Sequence, residues 1–326
     1  MHLISAFLGV SSVRDLGQTV VDGLVLGGRY AIIGVALALV LGTTGRFHFA
    51  FATTFTVAAY VTSVVTGAGT SWVLAALVGL GACAILGVVI EAGIYRPIEL
   101  RSRGDATLAV FVAALGATIV GENAIRLIWS SNSRSLAGVP DDPVNILGLQ
   151  TTSLDLTIIG VAVVIGVLVS AMLGRTSLGR QIKAVRVNPE MAMTVGVRSR
   201  RVILIVFAIA SAIGGVGAVL DAMKFAVLPN MGTQPLLFGM VVAFLAGTRA
   251  HPMTVVLAGF LLGLVQSLST IWLSQQVSIV AVFAVLILFL SYRSLTLALA
   301  RYSESPWQAL RRALNGSAPA PRAKRA

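Results

Sequence analysis

The chain has 326 residues, of which 57% are hydrophobic and 11% charged, and its mean hydropathy is +0.93. Soluble domains carry roughly 25% charged residues, so this composition excludes an ordinary soluble protein and predicts a polytopic membrane protein. The single cysteine, Cys83, excludes a disulfide framework and a cysteine-based zinc site.

Hydrophobic runs of about 20 residues, the length that crosses a bilayer core of about 30 Å, follow one another along the chain. We predict an all-α transmembrane helical bundle of eight or nine spans. These runs lie at 24–43, 47–66, 72–94, 106–129, 154–174, 202–222, 251–272 and 277–292, with a shorter run at 234–248 that is a half-helix or a tilted span. The predicted domains are an extracytoplasmic or interfacial segment 1–19, a transmembrane domain 20–295 and a basic, partly disordered tail 296–326.

Most of the positive residues behind the net charge of +12 lie in three regions. The segment 175–201 holds seven Lys and Arg residues, the tail from Arg293 holds another seven, and Arg96, Arg101 and Arg103 form the third region. The positive-inside rule puts all three in the cytoplasm, and nine crossings satisfy it, with the amino terminus and the polar loop 130–153 outside. The stretch Leu3 to Val10 is too short to span and reads as an uncleaved interfacial segment. We expect no nucleic-acid partner, although the tail alone could bind one as a polycation.

Small residues recur four apart in three of the runs, at Gly23 and Gly27, at Gly79, Cys83 and Gly87, and at Gly259 and Gly263. This spacing lets helix backbones approach closely. It predicts tight helix packing and says little about function.

Ionisable residues inside the runs are costly in hydrocarbon and therefore informative. Glu91 lies toward the cytoplasmic end of its span, close to Arg96, where either an interfacial ion pair or snorkelling is expected. Glu122 and Arg126 are four apart and can pair on one helix face, either as a structural cluster or along a solute path. Asp221 and Lys224 are expected to mark the outer interface.

Catalytic patterns are missing from the sequence, which has no GxxxxGK[ST] loop, no HExxH and no GxSxG elbow. We therefore expect no enzymatic activity and no cofactor bound by this chain. If ATP drives it, another polypeptide hydrolyses the ATP.

The segment 178–197, LGRQIKAVRVNPEMAMTVGV, is a helix-forming polar stretch between two hydrophobic runs. Gly179 and Gly196 read as its boundaries, and Asn188-Pro189-Glu190 reads as a helix start with a cap, a first-position proline and an acidic first turn. Such defined helix ends in a polar loop indicate that the loop binds a partner outside the membrane.

This segment resembles the cytoplasmic coupling loop of the permease subunits of branched-chain amino acid ABC importers. The positions in register are Gly179, Arg180, Ile182, Ala184, Asn188, Pro189, Glu190, Ala192 and Gly196. Upstream, Glu91 to Pro97, EAGIYRP, and the span Thr107 to Trp129 resemble two further elements of the family. The likeness covers about 20–295.

The resemblance implies a multi-pass subunit of the bacterial inner membrane with a cytoplasmic carboxyl terminus. Its implied partners are a second homologous permease, as a hetero- or homodimer, two cytoplasmic ABC ATPase subunits that use the ATP, an extracytoplasmic solute-binding protein and the lipid bilayer. The residues implied to couple to the ATPase are Gly179, Arg180, Lys183, Arg186, Asn188, Pro189, Glu190 and Gly196.

The resemblance also implies a translocation path along the spans 47–66 and 106–129, with the candidates His48, Phe51, Tyr60, Glu122 and Asn123. Departures from the family pattern occur here, because it has Asn, His and Gly at the positions of His48, Phe51 and Ala52, and usually Gln at Glu122. His48 is either a helix-start residue or part of the path. The expected solute is a small polar molecule, an amino acid of the branched-chain type or a related amide. The alternative is a secondary transporter or channel that works without an ATPase.

Overall fold

The computed structural model describes residues 13–102, 106–136, 141–146, 148–247 and 250–301. The interfacial segment Leu3 to Val10 and the tail beyond Arg301, both discussed above, lie outside these residues. The chain divides into two compact units, 1–283 and 284–326, and the described part of the second is the carboxyl-terminal part of the last helix.

Helices account for most of the described residues. In chain order they are α1 (Val13–Thr44), α2 (Phe51–Gly67), α3 (Trp72–Ile90), α4 (Arg96–Arg101), α5 (Ala106–Trp129), α6 (Ser153–Arg175), α7 (Ser177–Val187), α8 (Pro189–Thr194), α9 (Ser199–Lys224), α10 (Thr233–Ala246), α11 (Pro252–Ser269) and α12 (Gln275–Arg301). A π-helical turn, Glu91–Tyr95, joins α3 to α4, and the strands β1 (Pro143–Ile146) and β2 (Leu149–Thr152) form an antiparallel hairpin.

Within the described residues, six helical segments are long and apolar enough to cross a membrane: α1, α3 through α4, α5, α6, α9 and α11. The helices α2 and α10 and the stretch Val277–Tyr292 of α12 are apolar but shorter. At 14 residues, α10 rises about 21 Å, less than the roughly 30 Å of a bilayer core. The fold is thus a helical membrane bundle, and the total of eight or nine spans stays a prediction.

The first helix, α1, lies at the centre of the larger unit and packs against α6, α9, α10 and α11. A Cβ atom added at Gly263 of α11 would meet the backbone of Gly27, and one added at Gly259 would meet Ala31. On the other side of the unit, Gly79 of α3 lies against Thr62 of α2. The predicted close packing at these glycines is confirmed.

The hairpin is tied to the start of α1. The Arg14 Nε donates to the carbonyl of Gly148 at 2.8 Å, and the Gln18 amide both donates to and accepts from the backbone of Gln150. We call this end of the bundle the hairpin end, and the opposite end, where α7 and α8 lie, the loop end.

The all-α prediction misses this hairpin within the predicted polar loop 130–153. Each strand has four residues, too few for a readable alternation of polar and apolar positions. The contacts with Gln18, which lies 132 residues away from Gln150, are not visible in the local sequence.

The glycine packing predicts the effect of two alanine substitutions. Gly263→Ala should destabilise the α1–α11 contact by about 1–3 kcal/mol, because its Cβ has no room beside Gly27. The matched control is Gly81→Ala on α3, where nothing lies within 4 Å, so the higher helix propensity of alanine should leave stability unchanged or slightly raised. Thermal unfolding of the detergent-purified protein measures both, and equal midpoints for the two variants would contradict the packing argument.

Candidate functional site: a structured loop and an internal cavity

The loop between α6 and α9 consists of two capped helices. The Thr176 side chain accepts a hydrogen bond from the Gly179 N–H at 3.0 Å and caps α7. The Asn188 Oδ1 accepts from the N–H groups of Glu190 and Met191 at 2.9 and 3.0 Å and caps α8, with Pro189 at its first position. The predicted helix start at Asn188-Pro189-Glu190 is confirmed.

The two glycines of the loop differ in position. Gly196 follows α8 with φ at +84°, the left-handed region that glycine adopts without strain, and it ends the helix as predicted. Gly179 is not a boundary, because it lies inside α7. A Cβ there would meet the carbonyl oxygens of Met172 and Leu173, so glycine lets α7 pack directly on the end of α6.

Helix α7 has one buried face and one exposed face. Gly179, Ile182 and Val185 are buried at helical spacing, and α7 packs against α1, α6 and α9. Arg180 and Lys183 are exposed on the opposite face. The loop is therefore held rigidly on three long helices and presents a basic surface outward.

Large apolar side chains are exposed beside this basic surface. The exposed fractions are 82% for Val187, 70% for Met191 and 75% for Val195, and Met193 is exposed as well. Asn188, Pro189, Glu190 and Gly196 are also exposed, whereas Arg186 is half-buried. The helices α7 and α8 belong to none of the membrane-length helices, so these exposed apolar groups form a candidate interaction surface.

The five candidate residues of the translocation path have different neighbours. His48 and Phe51 are buried with ring centroids 6.0 Å apart, and His48 Nδ1 lies 2.9 Å from the Tyr95 hydroxyl. Tyr60 is buried against Trp129, with ring centroids 5.4 Å apart.

On α5, Glu122 pairs with Arg126, which confirms the predicted contact four residues apart. Glu122 borders a narrow crevice with Thr53 and Thr118. Asn123 is exposed and donates to the Ile119 carbonyl of its own helix. The five candidates thus have different neighbours, and their place along a path stays a prediction.

Glu91 is paired differently from the sequence expectation. Its carboxylate accepts from Arg46 Nη1 at 2.7 Å, and Arg46 also contacts Glu99. The expected partner, Arg96, follows the π-helical turn Glu91–Tyr95 in the same segment, whereas the observed partner precedes α2. Arg46 lies 45 residues away from Glu91.

A cavity of about 740 Å³ lies between α1, α9, α10, α11 and the first part of α12. Its polar lining consists of Arg29, Tyr30, Asp221, Asn230, Thr233, Gln234 and Gln266. Arg29 donates twice to Asp221, from Nε to Oδ1 at 2.6 Å and from Nη2 to Oδ2 at 2.9 Å. Such a two-point pair fixes both side chains.

Asp221, which was expected at the outer interface, lies in the last turn of α9 and is buried against Arg29 of α1. Lys224, one turn later, pairs with Asp155 at the start of α6. Sequence reasoning missed the Arg29–Asp221 pair because 192 residues separate the partners. The signal in the sequence was Arg29 itself, a single charged residue inside the apolar run 24–43. A charge inside such a run is usually paired.

Residues 19–292 match the family described as the permease component of branched-chain amino acid transport systems. The chain belongs to this family. It is therefore a permease subunit of an ABC importer.

Relatives of this permease cover most of its length. The high-affinity branched-chain amino acid transport system permease protein LivH of Salmonella typhimurium is 28% identical over 288 residues, which are 84% of this chain and 92% of LivH. The corresponding protein BraD of Pseudomonas aeruginosa is 26% identical over 297 residues, which are 85% and 93% of the two chains. Among solved structures, PsaBC from Streptococcus pneumoniae in complex with Fab is similar at a TM-score of 0.45 and 13% identity, over 88% of this chain and 92% of that one.

Removal of the carboxylate charge should lower stability by different amounts in the Arg46–Glu91 and Glu122–Arg126 pairs. Glu91→Gln should destabilise the protein by about 1–3 kcal/mol, because it removes the buried partner of Arg46 and leaves only the more exposed Glu99 to balance that charge. Glu122→Gln, at the more exposed pair with Arg126, should cost about 1 kcal/mol or less. Urea unfolding of both variants in the same detergent measures the difference, and comparable losses would contradict the assigned burial.

Proposed function

We propose that this permease carries a branched-chain or similarly small neutral amino acid across the bacterial inner membrane. The proposal takes its solute from what the names of LivH and BraD state for those proteins. The proposed assembly contains a second homologous permease, two cytoplasmic ATPase subunits that hydrolyse ATP, and an extracytoplasmic solute-binding protein. In this proposal the chain itself holds no cofactor.

The proposed orientation places the loop end in the cytoplasm and the hairpin end outside. It is supported by the seven basic residues of 175–201 and the positive-inside rule. In this topology residues 225–246 make one pass, partly as the non-helical segment 225–232 and partly as α10. Nine crossings then leave the basic carboxyl terminus in the cytoplasm.

The observation that carries the proposal is the exposed apolar surface on the capped loop. Val187, Met191 and Val195 lie mostly in solvent on a rigid segment outside the membrane-length helices. Burial of apolar area contributes roughly 25 cal/mol per Å², so a partner that covers these groups gains free energy on binding. A cytoplasmic ATPase is the partner that an ABC permease requires there.

Each coupling residue has a proposed role in this contact. Gly179 lets α7 pack on α6, and Asn188, Pro189 and Gly196 define the start and end of α8. The charged members are proposed to meet charges on the ATPase: Arg180, Lys183, Arg186 and Glu190. The solute path is proposed to run beside α2 and α5, with His48, Phe51, Tyr60, Glu122 and Asn123 in its wall or support.

Aspartate substitutions test the docking surface. Met191→Asp and Val195→Asp should each lower co-purification of the ATPase at least about tenfold, because a charge would have to be buried where an apolar group was covered. The control is Leu100→Asp on α4, which makes the same change at another exposed apolar residue, outside the loop, and should keep the ATPase. Retention of the ATPase by both loop variants would contradict the assignment.

Reconstitution of the whole importer tests the solute. Proteoliposomes that hold both permeases and both ATPases, supplied with the binding protein, should accumulate L-leucine only when ATP is present. The control complex carries an ATPase variant that binds ATP without hydrolysing it. Equal accumulation without hydrolysis would overturn the ATP-driven mechanism.

A further inference from the structure

We propose that the cavity between α1 and α9–α12 is a binding site for a zwitterionic α-amino acid. In this site Arg29 binds the carboxylate of the solute and Asp221 binds its ammonium group. The inference rests on the proposed function for amino acid transport, and it assigns a site that the sequence analysis placed elsewhere.

The charges on the cavity wall match a zwitterion. Arg29 and Asp221 bring one charge of each sign, and the neighbouring pair of Lys224 with Asp155 is again balanced. A solute with adjacent carboxylate and ammonium groups can exchange partners with the Arg29–Asp221 pair and leave no charge unpaired. A solute with one charge would leave one of the two side chains unpaired in a region of low dielectric, which is unfavourable.

The pair is held in place and remains accessible to the cavity. The guanidinium carbon of Arg29 lies 4.6 Å from the centre of the Phe225 ring, which supports its flat face. Its bonds to Asp221 use Nε and Nη2, so Nη1 is not engaged by that carboxylate. A side chain fixed in this way can receive a carboxylate without first being ordered.

Beside the charges, the cavity offers neutral polar groups and an apolar wall. The Tyr30 hydroxyl donates to Gln266 Oε1 at 2.6 Å, and both residues line the cavity. Apolar side chains complete the lining, among them Leu26, Ile33 and Leu237. The volume of about 740 Å³ falls within the range of about 300–1,000 Å³ that is typical of small-molecule sites. This arrangement suits an amino acid with an apolar side chain.

The backbone next to the cavity is irregular. Residues 225–232 between α9 and α10 are not helical, and Phe225, Asn230 and Met231 line the cavity. At membrane depth, non-helical backbone is tolerated where it is buried in protein or lines a cavity that water can enter. The interruption between α9 and α10 is therefore consistent with a solute site.

Cysteine protection tests the site directly in the assembled importer. Gln234 lines the cavity and is exposed, whereas the native Cys83 is buried, so Gln234→Cys should give one maleimide-reactive thiol in this chain. L-Leucine at ten times its half-protecting concentration should slow labelling about tenfold by mass action. The single-charge analogues 3-methylbutylamine and 4-methylpentanoate should leave the labelling rate unchanged. Absence of protection by L-leucine, or equal protection by either analogue, would overturn the proposal.

Two further variants separate solute binding from a purely structural ion pair. Asn132→Cys places a thiol at an exposed loop residue outside the cavity, and L-leucine should not change its labelling. In the Gln234→Cys background, Asp221→Asn should abolish protection by L-leucine while the complex still co-purifies with its ATPase. Protection that survives Asp221→Asn would assign the pair a structural role only. Labelling is done without ATP, so its outcome is independent of the uptake assay that tests the transport function.

Discussion

The central position of α1 is the constraint on which the rest of the larger unit depends. A helix with neighbours on nearly every side must present small residues where backbones meet, as Gly27 does toward Gly263 of α11. It must also balance any charge that it carries among its neighbours, where little solvent reaches. Arg29 is balanced by Asp221, and this pair joins α9 to α1. The contacts of α9 and α11 with α1 meet these two requirements.

The same helices connect the loop with the cavity. Helix α7 packs against α1 and α9, and these are the helices that carry Arg29 and Asp221. A displacement of α7 by a partner would act on both halves of the pair, since helices are stiff and their contacts are close-packed. Movement driven by ATP changes the binding of a solute only if the bundle has two arrangements that bind the solute with different affinities. The Arg29–Asp221 pair is a contact through which such a difference can arise.

Local sequence rules predicted those features that local sequence controls. The Asn188 cap and the Glu122–Arg126 pair each depend on residues a few positions apart, and both predictions are confirmed. The sequence also predicted a membrane protein and, from the loop motif, its family. The partner expected for Glu91 was wrong and the partner of Asp221 was not predicted, because Arg46 and Arg29 lie 45 and 192 residues away from them. Only the folded arrangement reveals such pairs, and the cavity depends on one of them.

The separation between Arg29 and Asp221 also has a consequence for how the protein is made. Synthesis starts at the amino terminus, so α1 reaches the membrane long before α9 has left the ribosome. On insertion scales an arginine at the centre of a lone helix costs about 2.5–3.5 kcal/mol, and a position nearer one end, such as that of Arg29 in the predicted span 24–43, lowers this cost through snorkelling. Helix α1 is apolar enough to cross the membrane by itself, but the charge of Arg29 is then still without Asp221. Because 192 residues separate the two, the contact between α1 and α9 can form only after most of the bundle has been synthesised.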